Sequence, residues 1–151
     1  MKKLLSFIVP AMIGAAVFTS CKKRTIVVNA TPPNAGTMRV VAGGDSLSTN
    51  SCIMNSHIIE GDFSNSSIIF NLEGVPALTT TTYTFDSTYQ ACNVTYSTGT
   101  SSAATVASYM GKSGSLTLTN ITPNVGITGY FNFTTTNGTV ITGTFFASYI
   151  L

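Results

Sequence analysis

The clearest structural signal in this chain is the segment Ser66-Ser67-Ile68-Ile69-Phe70-Asn71-Leu72-Glu73. Every second residue from Ile68 to Leu72 is apolar, whereas Asn71 and Glu73 fall on the opposite side. Side chains alternate between the two faces of a β-strand, so this pattern predicts a strand with one face toward a core. Gly74-Val75-Pro76 is expected to end the strand.

The same alternation continues on both sides of this segment. It predicts β structure at 38–41, 47–63, 79–85, 92–97, 106–110, 116–119, 130–134 and 140–150. Gly43-Gly44-Asp45 and the stretch from Gly111 to Gly114 are expected to be turns. Asn137-Gly138 is the strongest hairpin signal, because both residues tolerate the positive φ angles of a type I′ turn.

No long amphipathic helix is predicted for the part of the chain after residue 36. Eight to ten short strands joined by tight polar turns indicate an all-β domain, either an antiparallel meander sandwich or a flattened, partly open barrel. Periodicity alone does not separate these two architectures. We therefore divide the chain into a signal peptide with a short signal helix at 1–20, a tether at 21–36 and a β domain at 37–151.

The N-terminus has the organisation of a bacterial lipoprotein signal. Lys2 and Lys3 precede an uncharged stretch from Leu4 to Phe18, and the small residues Thr19-Ser20 stand directly before Cys21. The apolar stretch is shorter than the ~20 residues that a transmembrane helix needs. We predict cleavage after residue 20 and conversion of the Cys21 thiol to a lipid thioether with palmitate-type acyl chains, which would anchor the protein to a lipid bilayer.

Charge also argues against a nucleic-acid partner. The chain has seven basic and five acidic residues, and removal of Lys2 and Lys3 leaves five of each. No basic stripe with interleaved aromatic residues remains to follow a phosphate backbone. The basic run Lys22-Lys23-Arg24 would lie beside the lipid, where it could attract anionic head groups or simply keep the tether hydrated.

Lipidation of Cys21 would leave Cys52 and Cys92 as a pair in an oxidising compartment. Such a pair could form a disulfide, since disulfides persist outside the cytosol. Two separately buried thiols are the alternative, and both interpretations remain open. A metal site is not expected here, because no histidine or further cysteine stands at ligand spacing.

Catalytic patterns are weak throughout the sequence. His57 is the only histidine, and no nucleophile motif accompanies it. Glu60 and Asp62 lie on one side of a predicted strand, but acids at this spacing more often form a solvated face than a hydrolytic pair. We assign no catalytic residue, and no phosphate-binding loop indicates a cofactor.

Several glycine-containing strand patterns resemble a known group of proteins. They include Ile59-Glu60-Gly61, Thr82-Tyr83-Thr84-Phe85, Thr128-Gly129-Tyr130-Phe131-Asn132-Phe133 and Ile141-Thr142-Gly143-Thr144-Phe145. Together with the ending Phe-Thr-Ser-Cys of the signal, they look like the small β-rich lipoproteins of unknown function of Bacteroidetes-type bacteria. The resemblance implies a β fold and an envelope location, and it implies no catalytic residue.

Residues 22–24 also bear on location. Surface-exported lipoproteins of such bacteria usually carry acidic residues after the lipidated cysteine, so the basic run favours an anchor that faces the periplasm. Position 22 is Lys and not the Asp of inner-membrane retention signals, which favours the outer membrane. Exposure at the cell surface remains open.

Three functions are compatible with these features of the sequence. The first is a non-catalytic structural or interaction module of the cell envelope, with a protein or polysaccharide partner. The second is a domain that binds a glycan or a small apolar ligand, either in a barrel interior or on tyrosine stacking platforms, which are Tyr83, Tyr96 and Tyr130, with Tyr89 and Tyr109 as further candidates. The third is a hydrolase built around His57.

Overall fold

The computed structural model describes residues 36–86, 92–99 and 106–150. They form nine strands: β1 (Gly36–Ala42), β2 (Asp45–Asn55), β3 (Ile58–Phe63), β4 (Ser66–Asn71), β5 (Thr82–Asp86), β6 (Asn93–Thr98), β7 (Ala107–Thr122), β8 (Gly126–Thr135) and β9 (Val140–Tyr149). These three ranges contain no helix. The predicted all-β class is confirmed, while the signal peptide and all of the tether except Gly36 lie outside the described residues.

Eight of the strands close into an antiparallel barrel. Around the barrel the order is β7-β6-β4-β3-β2-β1-β9-β8, and β8 then pairs with β7 again. Neighbouring strands are mostly consecutive in the chain, as a meander requires. The ninth strand, β5, pairs with Ser113–Thr117 of β7, beyond the Ala107–Met110 segment that pairs with β6.

Of the two expected architectures, the antiparallel barrel is therefore confirmed and the sandwich is wrong, and the barrel is closed rather than partly open. β8 has long antiparallel ladders on both edges, with β7 and with β9. β1 is likewise paired on both sides, and β2 and β9 pair directly where β1 has not yet begun. Closure satisfies backbone groups that an open sheet would leave at its edges.

The inward side chains fill the barrel with an apolar core. Five phenylalanines form its centre, and the rings of Phe70 and Phe131 have centroids 4.9 Å apart. Phe133 lies edge-on to Phe70 and to Phe85, and Phe145 packs against Phe131. Aliphatic side chains from the facing strands complete the core: Met38, Val40, Met54, Ile59, Ile68, Leu72, Val94, Leu116, Leu118, Ile127 and Ile141.

Glycines make room for the rings on one side of this core. Phe131 is opposite Gly143 in the β8–β9 ladder, and Phe145 is opposite Gly129. A Cβ atom on Gly143 would lie 2.5 Å from the Phe131 ring and 2.5 Å from the Arg39 carbonyl oxygen. The ring thus occupies the space that a side chain would need, which explains why glycine stands at this interior strand position.

The predicted turn between Gly111 and Gly114 is wrong. β7 runs through this segment as one strand, with a shift of register between Gly111 and Ser113. Two glycines read locally as a turn, but β5 and β8 pair with the two edges of β7 there and hold the backbone extended. The register shift is a bulge, which bends a strand without ending it.

Asn137-Gly138 does form a hairpin, but its turn is not type I′. A type I′ turn needs positive φ at both residues, but only Gly138 has one, at 89°. Asn137 does not, because Ser56 and Asn124 are the only described non-glycine residues with positive φ. The Gly138 N–H donates to the Thr135 carbonyl and the Thr135 N–H donates to the Thr139 carbonyl, both at 2.9 Å. This geometry is the three-residue loop with a glycine bulge, which is the next most common hairpin connection.

Residues 47–63 are two strands rather than one segment. Ser56, with φ of 54°, and His57 form a two-residue turn between β2 and β3. His57 therefore lies in a turn, and it does not share a strand face with Ile59 and Gly61. On β3 the side chain of Ile59 is buried, whereas Glu60 is partly exposed and Asp62 exposed, as expected for a solvated face.

Candidate functional site

The candidate site is a groove on the outer surface of β1, β2, β8 and β9. We call it the outer groove; its volume is about 570 Å³, and the side chains that point out of the barrel wall along it are Arg39, Val41, Ser46, Ser48, Tyr130, Thr142 and Thr144. Arg39 is the only charged residue among the residues that line it. The residues that line the groove therefore carry one positive charge.

Strand register sets the shape of the outer groove. Thr144 of β9 is opposite Arg39 of β1 on one side and Tyr130 of β8 on the other. Neighbouring strands lie ~4.8 Å apart, so the backbones at Arg39 and Tyr130 are roughly 10 Å apart across the short Thr144. Two long side chains thus form the walls of the groove, and threonines of β9 form its floor.

The aromatic and cationic groups of the outer groove are available to a ligand. The Tyr130 side chain is 51% exposed, and its hydroxyl forms no hydrogen bond within the part of the chain that the structure describes. Arg39 makes no ion pair with any residue of the described ranges. Val41 is 45% exposed beside them and adds an apolar surface.

The hydroxyl groups of the outer groove are not bonded to one another. Some hydroxyls elsewhere on the outer surface pair across strands, such as Thr82 with Thr117 at 2.8 Å and Thr119 with Thr128 at 3.0 Å. In contrast, the groove hydroxyls of Ser46, Ser48, Thr142 and Thr144 have no hydrogen-bond partner among residues 36–86, 92–99 and 106–150. These four groups can donate and accept without breaking an existing bond.

The three predicted stacking tyrosines have different environments. Tyr96 points into the barrel and is only 9% exposed, so its prediction as a platform is wrong. It shares its parity with Cys92 and Val94, which also face the core. Tyr83 packs partly against the core, and its hydroxyl accepts the Thr79 N–H at 2.9 Å.

Tyr130 alone of the three has an exposed ring in a groove. Of the two further tyrosines, Tyr109 is half-buried against the core, and Tyr89 lies outside the described residues. Sequence reasoning missed Arg39 as a site residue. Its position between the buried Met38 and Val40 indicated that it points outward, but its proximity to Tyr130 depends on pairings through β9.

His57 and the two nearby acids offer little for catalysis. The His57 ring nitrogen Nδ1 is 3.3 Å from the hydroxyl of the adjacent Ser56, at an exposed turn. Burial raises the pKa of Glu60, and the negative charge of Asp62 raises it further. Within the described ranges, no three residues of the types His, Cys, Asp and Glu are grouped so that they could hold a metal ion.

Cys52 and Cys92 are both buried in the core as free thiols, which corresponds to the second of the two open interpretations. Burial raises the pKa of the Cys52 thiol to about 12 and that of Cys92 to about 11. Because the thiolate is the reactive form, both side chains are expected to be chemically inert in the folded protein.

Cys21, the predicted lipidation site, lies outside the described residues. Within the described ranges there is no helix that is long and apolar enough to cross a membrane. No protein-family model matches the chain, and searches of curated proteins and of solved structures also find no match.

Proposed function

We propose that the chain is a lipid-anchored, non-catalytic binding module of a bacterial cell envelope. The observation that carries this proposal is the contrast between a barrel interior occupied by core side chains and an outer groove with unpaired polar groups. A small apolar ligand would compete with Phe70, Phe131 and Phe133 for the interior. A partner on the outside would meet groups that have no other bonds.

The anchor part of the proposal depends on the N-terminal pattern. Lys2-Lys3, the uncharged stretch and Thr19-Ser20-Cys21 support lipidation at Cys21. The likeness to Bacteroidetes-type lipoproteins and the basic residues Lys22-Lys23-Arg24 support an outer-membrane location facing the periplasm. The proposal therefore includes the lipid anchor at Cys21 and the outer-membrane location.

The catalytic alternative has no comparable support. A hydrolase would need a base, a nucleophile and an acid that converge on a cleft. His57 is in the exposed turn between β2 and β3, and its ring bonds to its own neighbour Ser56. Glu60 and Asp62 are on the outer surface of β3.

Metabolic labelling with an alkyne-bearing palmitate tests the anchor. We expect label in the wild-type protein and in the Cys52→Ala and Cys92→Ala variants, and none in Cys21→Ala. The two core variants are matched controls, since each also removes one thiol. Label that persists in Cys21→Ala would contradict the lipid anchor.

Chemical crosslinking in intact cells tests the interaction part. The anchored protein is expected to yield a reproducible envelope partner, protein or polysaccharide, that is reduced in Cys21→Ala because the soluble protein is no longer held at the membrane. Recovery of the same partner at the same level from both proteins would contradict a function that depends on the anchor.

A further inference from the structure

We propose that the outer groove binds an acidic polysaccharide, with a sugar ring against Tyr130 and a carboxylate on Arg39. This inference rests on the proposed function, because it names the partner class of that binding module. Among the possible partners it selects a chain of uronic-acid sugars. Three features of the groove favour such a ligand: an exposed ring, an isolated cation and unpaired hydroxyls.

The ring of Tyr130 is suited to stacking. Its neighbours in the ladders on either side are Thr144 and Thr117, whose side chains are short. An aromatic face carries partial negative charge, and the C–H groups on one face of a pyranose carry partial positive charge. A sugar laid on Tyr130 therefore gains both apolar contact and electrostatic attraction.

Arg39 determines the sign of the ligand. It is the only charged residue lining the groove, and it has no acidic partner in the described ranges. A guanidinium presents a planar pair of donors that matches a carboxylate. Charge complementarity therefore favours an acidic glycan over a neutral one.

The free hydroxyls favour a sugar over a purely apolar partner. Thr142 and Thr144 lie on the floor between Tyr130 and Arg39, and Ser46 and Ser48 of β2 lie beyond Arg39. A polysaccharide presents hydroxyls that both donate and accept, as these side chains do. Val41 faces the same groove and can contact the apolar side of a sugar ring.

Binding to polygalacturonate tests the inference directly. The full lipoprotein would be extracted in detergent and immobilised. Its binding to polygalacturonate would be compared with its binding to fully methyl-esterified polygalacturonate, which has the same sugar without the charge. We expect at least tenfold weaker binding of the ester and a marked loss of binding to the acid form at high salt. If no binding is seen to polygalacturonate, alginate or hyaluronate, the inference is overturned.

Variants connect binding to the groove. Arg39→Gln should weaken binding to the acid form on the order of tenfold and remove the preference for acid over ester. Tyr130→Ala should weaken binding to both forms on the order of tenfold, and Tyr130→Phe should restore it because the ring is kept. Lys112→Gln and Met110→Ala are matched controls on exposed positions of β7 and should bind as wild type.

Other occupants of the groove give different results. If sedimentation shows a dimer that Tyr130→Ala dissociates, the groove belongs to a second copy of the chain and the inference fails. It also fails if Cys21→Ala protein binds phosphatidylglycerol vesicles through Arg39 and binds no uronate. Palmitate labelling of Cys21 is read separately, so loss of uronate binding with retained label refutes only this inference.

Discussion

The two faces of β8 have opposite roles in the same ten residues. Phe131 and Phe133 point inward and are almost fully buried, whereas Tyr130 between them points outward and is half exposed. The inner rings contact three other phenylalanines, while the outer ring has only short neighbours. The inner face of β8 therefore packs the core, and the outer face leaves an aromatic ring open to solvent.

Removal of one ring from each face of β8 should have the largest and most unequal effect on stability. Phe133→Ala should lower the free energy of unfolding by about 3–5 kcal/mol, because it leaves a cavity among Phe70, Phe85 and Phe131. Tyr130→Ala should change it by less than about 0.5 kcal/mol. Urea unfolding of both variants measures the difference, and similar losses would show that the outer ring also holds the fold together.

Addition of a single methyl group tests the glycine side of the core. Gly143→Ala should cost about 1–3 kcal/mol, because the new Cβ would meet both the Phe131 ring and a backbone oxygen of β1 that cannot rotate away. Thr144→Ala, one residue further and on the outer face, is the control and should lie within about 0.5 kcal/mol of wild type. A Gly143→Ala protein as stable as wild type would mean that the ring is not tightly held.

Thr135 is the polar exception on the inner face of β8. Its buried hydroxyl accepts the Thr139 N–H at 3.0 Å and lies 3.1 Å from the Thr139 carbonyl oxygen; it also bonds to Asn137. Thr135→Val keeps the shape but loses these bonds, and it should cost about 1 kcal/mol. Thr134→Val on the outer face should change stability very little. Thermal unfolding of the two variants measures this difference in stability, and equal losses would contradict the role of the Thr135 hydrogen bonds.

Local pattern predicted which face each residue takes, but not how the strands meet. The alternation at Ile68-Ile69-Phe70 and at Phe131-Asn132-Phe133 was enough to place the inner residues, because strand periodicity is a local property. The same rule would have excluded Tyr96 as a platform, since it shares parity with Val94. The long ladder from β7 to β9 and the proximity of Arg39 and Tyr130 depend on non-local pairing, which no local pattern contains.

The predicted turn at Gly111–Gly114 failed for a related reason. Two glycines close together indicate a turn when only neighbours in the chain are considered. Here Gly114 lies against Phe133 of the next strand, where a Cβ would come within 2.5 Å of that side chain. Glycine is present at this position because the neighbouring strand leaves no room for a side chain. In the sequence alone, such a glycine cannot be distinguished from one that forms a turn.

The smallest effect on stability is expected at Glu60, a charged residue on the outer face that is only partly desolvated. Burial and then Asp62 raise the pKa of Glu60 above its ordinary value of 4.5, so the folded protein binds this proton more tightly than the unfolded chain. The ionised carboxylate therefore costs stability above the raised pKa, and this cost disappears as the pH falls below 4.5. Glu60→Gln should stabilise the protein at pH 7 by less than about 0.5 kcal/mol, a small value because solvent screens the exposed charge.

The gain from Glu60→Gln should vanish near pH 3, where wild-type Glu60 is protonated in both states. Asp62→Asn is the matched variant and should give a smaller gain, because the charge of Asp62 is the lesser of the two causes of the raised pKa. Urea unfolding at pH 3 and pH 7 measures both. If the gain in the free energy of unfolding is equal at the two pH values, the amide stabilises the protein through packing and not through loss of charge. The outer face of β3 would then also contribute to stability.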